Sequence, residues 1–280
     1  MNNFVQRTLS AVVYSGVVLS SILVNPIYFG LVFLLVTALA LREYHSLLGS
    51  SIQSTVYAMS AGVLLFTTVY FYVTGDAISD WLFLAYMLVL MAAMIRELFL
   101  LPSDPIKHWG ELCAGQLMVA LPFALMTSLL HYDKYLLLCL FVIIWINDSG
   151  AYIVGSLMGK RQAGNHKMFP RVSPAKSWEG LIGGLIFDLV AAYVFYRVGW
   201  MHALCLTGNL LIDSMIFALV VGLFGTLGDL MESLFKRHLG VKDSGRFLPG
   251  HGGVLDRFDS LLLAVPAVYF LVMFLGRLLH

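Results

Sequence analysis

The sequence predicts an all-α polytopic membrane protein with about nine transmembrane helices. Three observations carry that reading. Hydrophobic residues make up 60% of the 280 positions and charged residues only 12%; the mean hydropathy is +0.86; and apolar runs recur along the whole chain with short polar stretches between them. Soluble domains carry about 25% charged residues. A soluble core cannot absorb this much apolar surface, so a bilayer must be the solvent for most of it. With no soluble domain visible, residues 1–280 read as one integral-membrane domain, with hydrophobic N-terminal helices over 1–130 and most of the polar chemistry over 135–280.

A spanning helix needs roughly 20 mostly apolar residues. Nine runs qualify, at about 8–24, 27–41, 55–74, 80–99, 111–130, 135–157, 178–198, 210–234 and 258–279. The first lacks a clear cleavage site and reads as a retained helix, not a signal peptide. It is short, as is the second, and Asn25-Pro26 divides them, a pattern that also suits a re-entrant pair. With nine spans, fourteen of the seventeen lysines and arginines fall on one side: Arg7, Arg42, Arg96, Lys107 and those in the loops 158–177 and 235–257. Only Lys134, Arg197 and Arg277 fall on the other. The basic side is the expected cytoplasmic side. Cys113, Cys139 and Cys205 lie in or beside apolar stretches, form no CxxC or zinc spacing and read as inert core thiols. The net charge of +1 says little about partners, and no nucleic-acid partner is expected.

The two long basic loops hold most of the polar residues. In and beyond the eighth span, Gly222, Gly225, Asp229, Glu232 and Lys236 are three or four residues apart, which puts them on one helix stripe. The glycines allow a neighbouring helix to approach. The cation lies seven residues beyond Asp229, roughly 10 Å along the axis, with Arg237 beside it. At the start of the ninth span, Asp256 and Asp259 make a second acidic pair around Arg257. Two such pairs suit a hard divalent cation, and magnesium takes one or two carboxylates plus substrate phosphates and waters. The plainer readings are a salt-bridged helix end for the first pair and an N-terminal helix cap for Asp256. Between the pairs stand Lys242-Asp243-Ser244-Gly245 and Pro249-Gly250-His251-Gly252-Gly253. Glycines let the backbone offer N–H groups to phosphate, and with Lys236, Arg237, Lys242, Arg246 and Arg257 they suggest polyphosphate binding. His251 fits phosphate contact, proton transfer or a turn.

In the sixth span, Asp148 shares a stripe with Ala151, Gly155 and Gly159, so it is expected to face packed protein rather than lipid. Gly180, Gly184 and Asp188 repeat the pattern in the seventh span, with nothing else polar beside Asp188 in sequence. Ser173 through Gly180 reads as a helix start with Ser177 at the N-cap, where Ser173 and Lys176 can bind phosphate. Trp178 fits an interfacial anchor better than a base-stacking platform, and Glu179 complements the helix dipole.

The stretch Ser233, Lys236-Arg237, Lys242-Asp243, His251-Gly252-Gly253, Asp256-Arg257, Asp259 resembles the signature of phosphatidate cytidylyltransferases, also called CDP-diacylglycerol synthases. Upstream, Asp148, Ala151-Tyr152, Gly159-Lys160, Ser173-Pro174, Lys176 and Trp178-Glu179-Gly180 are similar to the same family. The match covers roughly the C-terminal half at motif level. The resemblance implies a phospholipid-biosynthetic nucleotidyltransferase that moves CMP from CTP onto phosphatidic acid and releases pyrophosphate. It implies a metal centre on Asp229 and Asp256, with magnesium and a potassium ion. Glu232, Asp259 and Asp148 are the expected additional ligands. Lys236, Arg237, Lys242 and Arg257 are expected on the phosphates, and Ser173, Lys176, Ser233, Asp243, His251, Gly252 and Gly253 around the substrates. The active site is then expected at the cytoplasmic interface of the inner (plasma) membrane, among membrane lipids, and the glycine-bearing helix faces permit a homodimer. The alternatives are a transporter or channel, marked by intramembrane carboxylates on small-residue stripes, or another CTP-dependent lipid-phosphate enzyme, such as a kinase that would release CDP.

Overall fold

The structure, a computed structural model, describes residues 3–100, 104–161, 166–245 and 252–275. The chain forms α1 (Asn3–Val24), α2 (Pro26–Leu47), α3 (Ile52–Val73), α4 (Ile78–Leu100), α5 (Pro105–Gly115), α6 (Leu121–Tyr132), α7 (Lys134–Arg161), α8 (Trp178–Val198), α9 (Leu210–His238), α10 (Leu255–Phe258) and α11 (Leu261–Tyr269). A π-helical turn at Gln116–Ala120 joins α5 to α6, and a second, Phe270–Leu275, continues α11. The strands among the described residues are β1 (Lys167–Phe169) and β2 (Ser173–Ser177), an antiparallel pair that turns the expected 158–177 loop into a hairpin.

Polar side chains mark the starts of these helices. Asn25 accepts from the Ile27 N–H with Pro26 at the first helical position, where its missing N–H costs nothing. Ser51, Asp104, Ser177 and Asn209 cap α3, α5, α8 and α9 in the same way. At its other end α8 closes on Gly199 at φ 82°, a left-handed position that favours glycine.

Among the described residues, seven helices are long and apolar enough to cross a membrane, counting Pro105–Tyr132 as one. The expected first and ninth spans correspond to shorter apolar helices, Ser10–Val24 and Leu261–Met273. The expected short second span is in fact a full 22-residue helix, about 33 Å long at 1.5 Å per residue, which sets it apart from a re-entrant half. Helix α9 runs on to His238, past the expected end of the span at 234, and so carries Lys236 on the predicted stripe with Arg237 beside it. Cys139 is buried, whereas Cys113 and Cys205 lie at the surface and are not core thiols.

The chain divides into two compact units. One comprises residues 1–131 and 243–258, the other residues 132–242 and 259–280. In the first unit α2 packs on α3, α3 on α4, and α10 on α2. Phe258 of α10 stands edge-on to Tyr14, Phe33 and Phe123 at centroid distances of 5.5, 5.8 and 5.4 Å, an aromatic anchor for the returning 243–258 segment. In the second unit α7 packs on α8, α8 on α9, and α11 on α9. Lipid tails are as apolar as the side chains, so these helices associate through close packing rather than burial from water. The glycine faces serve that packing inside the unit: a Cβ at Gly228 would meet the carbonyl oxygens of Asp259 and Ser260 at 2.7 and 2.9 Å, and one at Gly222 would run into Asp188.

Candidate active site

In the second unit, the hairpin and α9 bring the two polar stretches singled out in the sequence together. Lys176 Nζ on β2 lies 2.7 Å from Asp229 Oδ2 on α9 and donates to the carbonyl of Thr226 at 3.1 Å. Ser233 Oγ, one turn on, donates to Asp229 Oδ1 at 3.2 Å. The antiparallel hairpin places Lys176, and its base is tied to α8 where Glu179 Oε1 accepts from His166 Nδ1 at 2.7 Å and from the His166 N–H at 3.2 Å. Glu179 therefore does more than complement a helix dipole. Ser177 accepts from the Gly180 N–H at 3.1 Å, as its N-cap position requires.

Further along the α9 stripe, Lys236 Nζ pairs with Glu232 Oε2 at 2.5 Å, both side chains being buried. Arg237 is exposed and donates to two backbone carbonyls, from Nε to Val172 at 3.3 Å and from Nη1 to Val241 at 3.2 Å. It thus braces the hairpin turn against the end of α9. Asp259 lies in the turn ahead of α11. Its Oδ1 accepts from the Ser260 N–H at 2.6 Å, and burial, with the charges of Asp229 and Glu232 adding to it, pushes its carboxyl well above the usual carboxylate range.

Asp148 is exposed rather than packed against protein; its neighbour Asn147 takes the buried position. The reason is angular: adjacent residues on a helix point about 100° apart, and the small-residue stripe does not decide which of the two faces α8. Asp148, Asn147, Tyr152, Lys176 and Thr226 line a cavity of about 190 Å³. A cavity larger than this, about 610 Å³, lies in the first unit beside Tyr57, Arg96, Lys107 and Trp109. Its cations are answered by Glu97 and Glu111, and none of the predicted site residues lines it. Of the predicted site residues, Asp148 and Lys176 line the smaller one.

The signature's far end belongs to the first unit. Asp256 Oδ2 accepts from the N–H groups of Ser244 and Gly253, each at 2.8 Å, and the Asp256 N–H donates to Ser244 Oγ at 3.3 Å. Gly252, at φ 81°, leaves its Cβ side against Asp256 Oδ2. Asp256 therefore orders its own loop as a cap does. Lys242 and Asp243 are exposed, and the Arg257 carbonyl accepts from Tyr14 Oη at 3.0 Å. Asp229, Glu232, Asp148 and Asp259 fall in the second unit and Asp256 in the first. Ser173 is half-buried at the start of β2. His251 lies outside the described residues, as do Arg246, Pro249 and Gly250.

No three of His, Cys, Asp and Glu gather into a metal-binding group among the described residues. The donor set still fits magnesium. Asp229 offers oxygen to a cation, as its contact with the Lys176 ammonium shows, and carboxylates crowd Asp259 enough to raise it. A magnesium ion habitually completes such a partial set with phosphate and water oxygens.

One pairing and one residue escaped the sequence reading. Asp188, fully buried, accepts through Oδ2 from Asn147 Nδ2 at 2.6 Å, and Asn147 Oδ1 accepts from Thr226 Oγ1 at 3.3 Å. Asn147 was visible beside Asp148, but its partner is 41 residues away. Glu43 of α2 is the residue, its two carboxylate oxygens accepting from Ser244, Val254 and Leu255. Its only signal in the sequence is a carboxylate near the end of an apolar run.

A cytidylyltransferase family model matches residues 5–275. The phosphatidate cytidylyltransferase of Haemophilus influenzae is 36% identical over 282 residues, covering 93% of this chain and 96% of that protein. The enzyme of that name from Bacillus subtilis is 33% identical over 276 residues, covering 95% and 97%. The one from Staphylococcus saprophyticus is 47% identical over 144 residues, about half of each chain.

Proposed function

The chain belongs to the cytidylyltransferase family, and from that premise we propose that it transfers CMP from CTP to phosphatidic acid, giving CDP-diacylglycerol and pyrophosphate. The observation that carries the reading is the 2.7 Å contact of Lys176 with Asp229. It joins an ammonium and a carboxylate from the two polar stretches beside a cavity that Lys176 and Asp148 line, a pairing suited to phosphate and its counter-cation. Proteins named phosphatidate cytidylyltransferase align along nearly the whole chain, which supports the choice of substrates.

The lipid brings its own nucleophile. A phosphate monoester has a second pKa near 6, so its oxygen is largely ionised at neutral pH and no strong general base is required. That oxygen attacks the α-phosphorus of CTP, a new P–O–P link forms, and the bond to the β-phosphate's bridging oxygen breaks to release pyrophosphate. The obstacle is repulsion between anions, so the protein's work is positioning and charge neutralisation. Lys176, Lys236, Arg237, Lys242 and Arg257 supply the positive charge, with Ser173, Ser233, Asp243, His251, Gly252 and Gly253 around the phosphates. Asp229 and Asp256 are the residues that would hold magnesium, as the family resemblance implies, with Glu232, Asp148 and Asp259 in support; a potassium ion belongs to the same reading. When bound, magnesium neutralises charge on the nucleotide phosphates.

In this reading the chain sits in the inner membrane with nine spans, the shorter apolar helices Ser10–Val24 and Leu261–Met273 being added to the seven longer ones. Its basic loops and site then face the cytoplasm, where a soluble nucleotide and a lipid headgroup can meet. The test is pyrophosphate release by purified protein in detergent with CTP, magnesium and phosphatidic acid. Release that requires all three, with CDP-diacylglycerol as product, is the expected result. CDP as product would replace transfer by a kinase reaction. No release with any of several lipid phosphates would return the chain to the transporter reading.

A further inference from the structure

We propose that Glu43, on α2, is a positioning residue for this reaction: its carboxylate fixes the loop that presents Asp256 and Arg257. The inference rests on the transfer reading above and adds to it a residue far from the signature in sequence. Glu43 Oε1 accepts from the Val254 N–H at 2.9 Å. Its Oε2 accepts from the Leu255 N–H at 2.9 Å and from Ser244 Oγ at 3.1 Å. Each hydrogen bond given to Glu43 among the described residues thus comes from a donor of this loop. Val254 and Leu255 lie at the start of α10, where N–H groups have no partner within the helix, and Glu43 answers two of them from another helix.

The loop is shaped around this carboxylate. A Cβ at Gly245 would meet Glu43 Oε1 at 2.6 Å, and one at Gly253 would run into Glu43 Oε2 and Ser244 Oγ. Ser244 links the two acids, since its hydroxyl donates to Glu43 and accepts from the Asp256 N–H while its own N–H donates to Asp256 Oδ2. Removing the Glu43 charge therefore loosens Ser244 and Gly253, the two donors that hold Asp256. On the far side of the segment, Tyr14 Oη donates to the Arg257 carbonyl and Phe258 is clasped by Phe33 and Phe123. Those contacts are apolar or single; the charge-assisted ones belong to Glu43.

A glutamine at position 43 keeps the shape and turns one acceptor into a donor facing donors. For Glu43→Gln in detergent, the expected results are a thermal midpoint close to wild type, faster amide hydrogen exchange confined to residues 244–245 and 252–256, and a kcat lowered about tenfold or more. A merely structural role would not confine the exchange change to that loop. A double-mutant cycle adds a second readout. Gly245→Ala should cost less activity in a Glu43→Ala background than in wild type, because the Glu43 carboxylate is the nearest group that the added Cβ meets. If Glu43→Gln does not fold, Gly245→Ala presses on the same carboxylate and should raise loop exchange and lower kcat. Wild-type exchange and kcat in Glu43→Gln, or in Gly245→Ala where that variant stands in, would overturn the proposal. A wild-type chain with no transfer activity would sink the transfer reading alone, since the exchange measurement reads the clamp directly.

Discussion

Asn147 Nδ2 donates to Asp188 Oδ2 at 2.6 Å, joining α7 to α8 through two fully enclosed polar groups, and Gly222 of α9 packs its Cα against the pair. A polar contact of this kind inside a bundle holds three helices in one arrangement, because an unmatched carboxyl in an apolar surrounding is costly.

Asn147→Leu removes the donor and leaves Asp188 buried. The expected loss is about 1–3 kcal/mol of stability, read as a lower thermal midpoint in detergent. Adding Asp188→Leu to that variant should recover part of the loss, since both polar partners are then gone. A midpoint unchanged by Asn147→Leu would show that the pair does not hold the helices.

Lys176→Gln removes the ammonium that touches Asp229 and the Thr226 carbonyl. Activity should fall roughly 10- to 100-fold, the worth of one charge-assisted contact, with KM for CTP raised. Lys176→Arg should not fully restore it, because a planar fork does not reproduce a compact point charge. Full activity in Lys176→Gln would dissociate the pair from the reaction.

Chelation should abolish transfer and added magnesium should restore it, with Asp229→Asn needing more magnesium for half-maximal rate. Asp256→Asn separates two roles. Asparagine caps a helix start about as well as aspartate, so if Asp256 serves only its loop, the variant keeps its activity. As a metal ligand, it should lose more than about 100-fold, beyond what outer-shell partners are worth, while its thermal midpoint holds.

Ser177→Ala strips the α8 cap, whose Oγ accepts from the Gly180 N–H. The expected cost is about 1 kcal/mol, and Ser177→Asp should recover it. Circular dichroism on heating reads both. A Ser177→Ala protein as stable as wild type would mean the hairpin base alone fixes that helix start.

The apolar runs, the helix caps and the acidic stripe of α9 were all readable along the chain, because each depends on residues within a few positions of one another. Seven of the nine apolar runs lie in helices long and apolar enough to cross a membrane. The ends were less legible: α9 continues to His238, beyond the expected 234, and Lys167–Phe169 and Ser173–Ser177 pair as strands. A polar, basic stretch after an apolar run gives no local signal for where a helix stops.

Which of two adjacent residues faces the protein was not legible at all. Asn147 is enclosed and Asp148 is exposed, a choice set by the approach of α8 and α9 rather than by the small residues of α7. The same holds for Glu43, whose partners lie 201 to 212 residues away. By itself the sequence determined a helical membrane chain, the neighbourhoods in which its carboxylates and cations lie, and its family signature, since hydrophobicity and helical spacing are short-range properties. Only the tertiary structure decided that Lys176 meets Asp229, that Asp188 meets Asn147 and that Glu43 grips the 244–255 loop, because a polar group in an apolar bundle takes its partner from whichever segment the packing brings within hydrogen-bond reach.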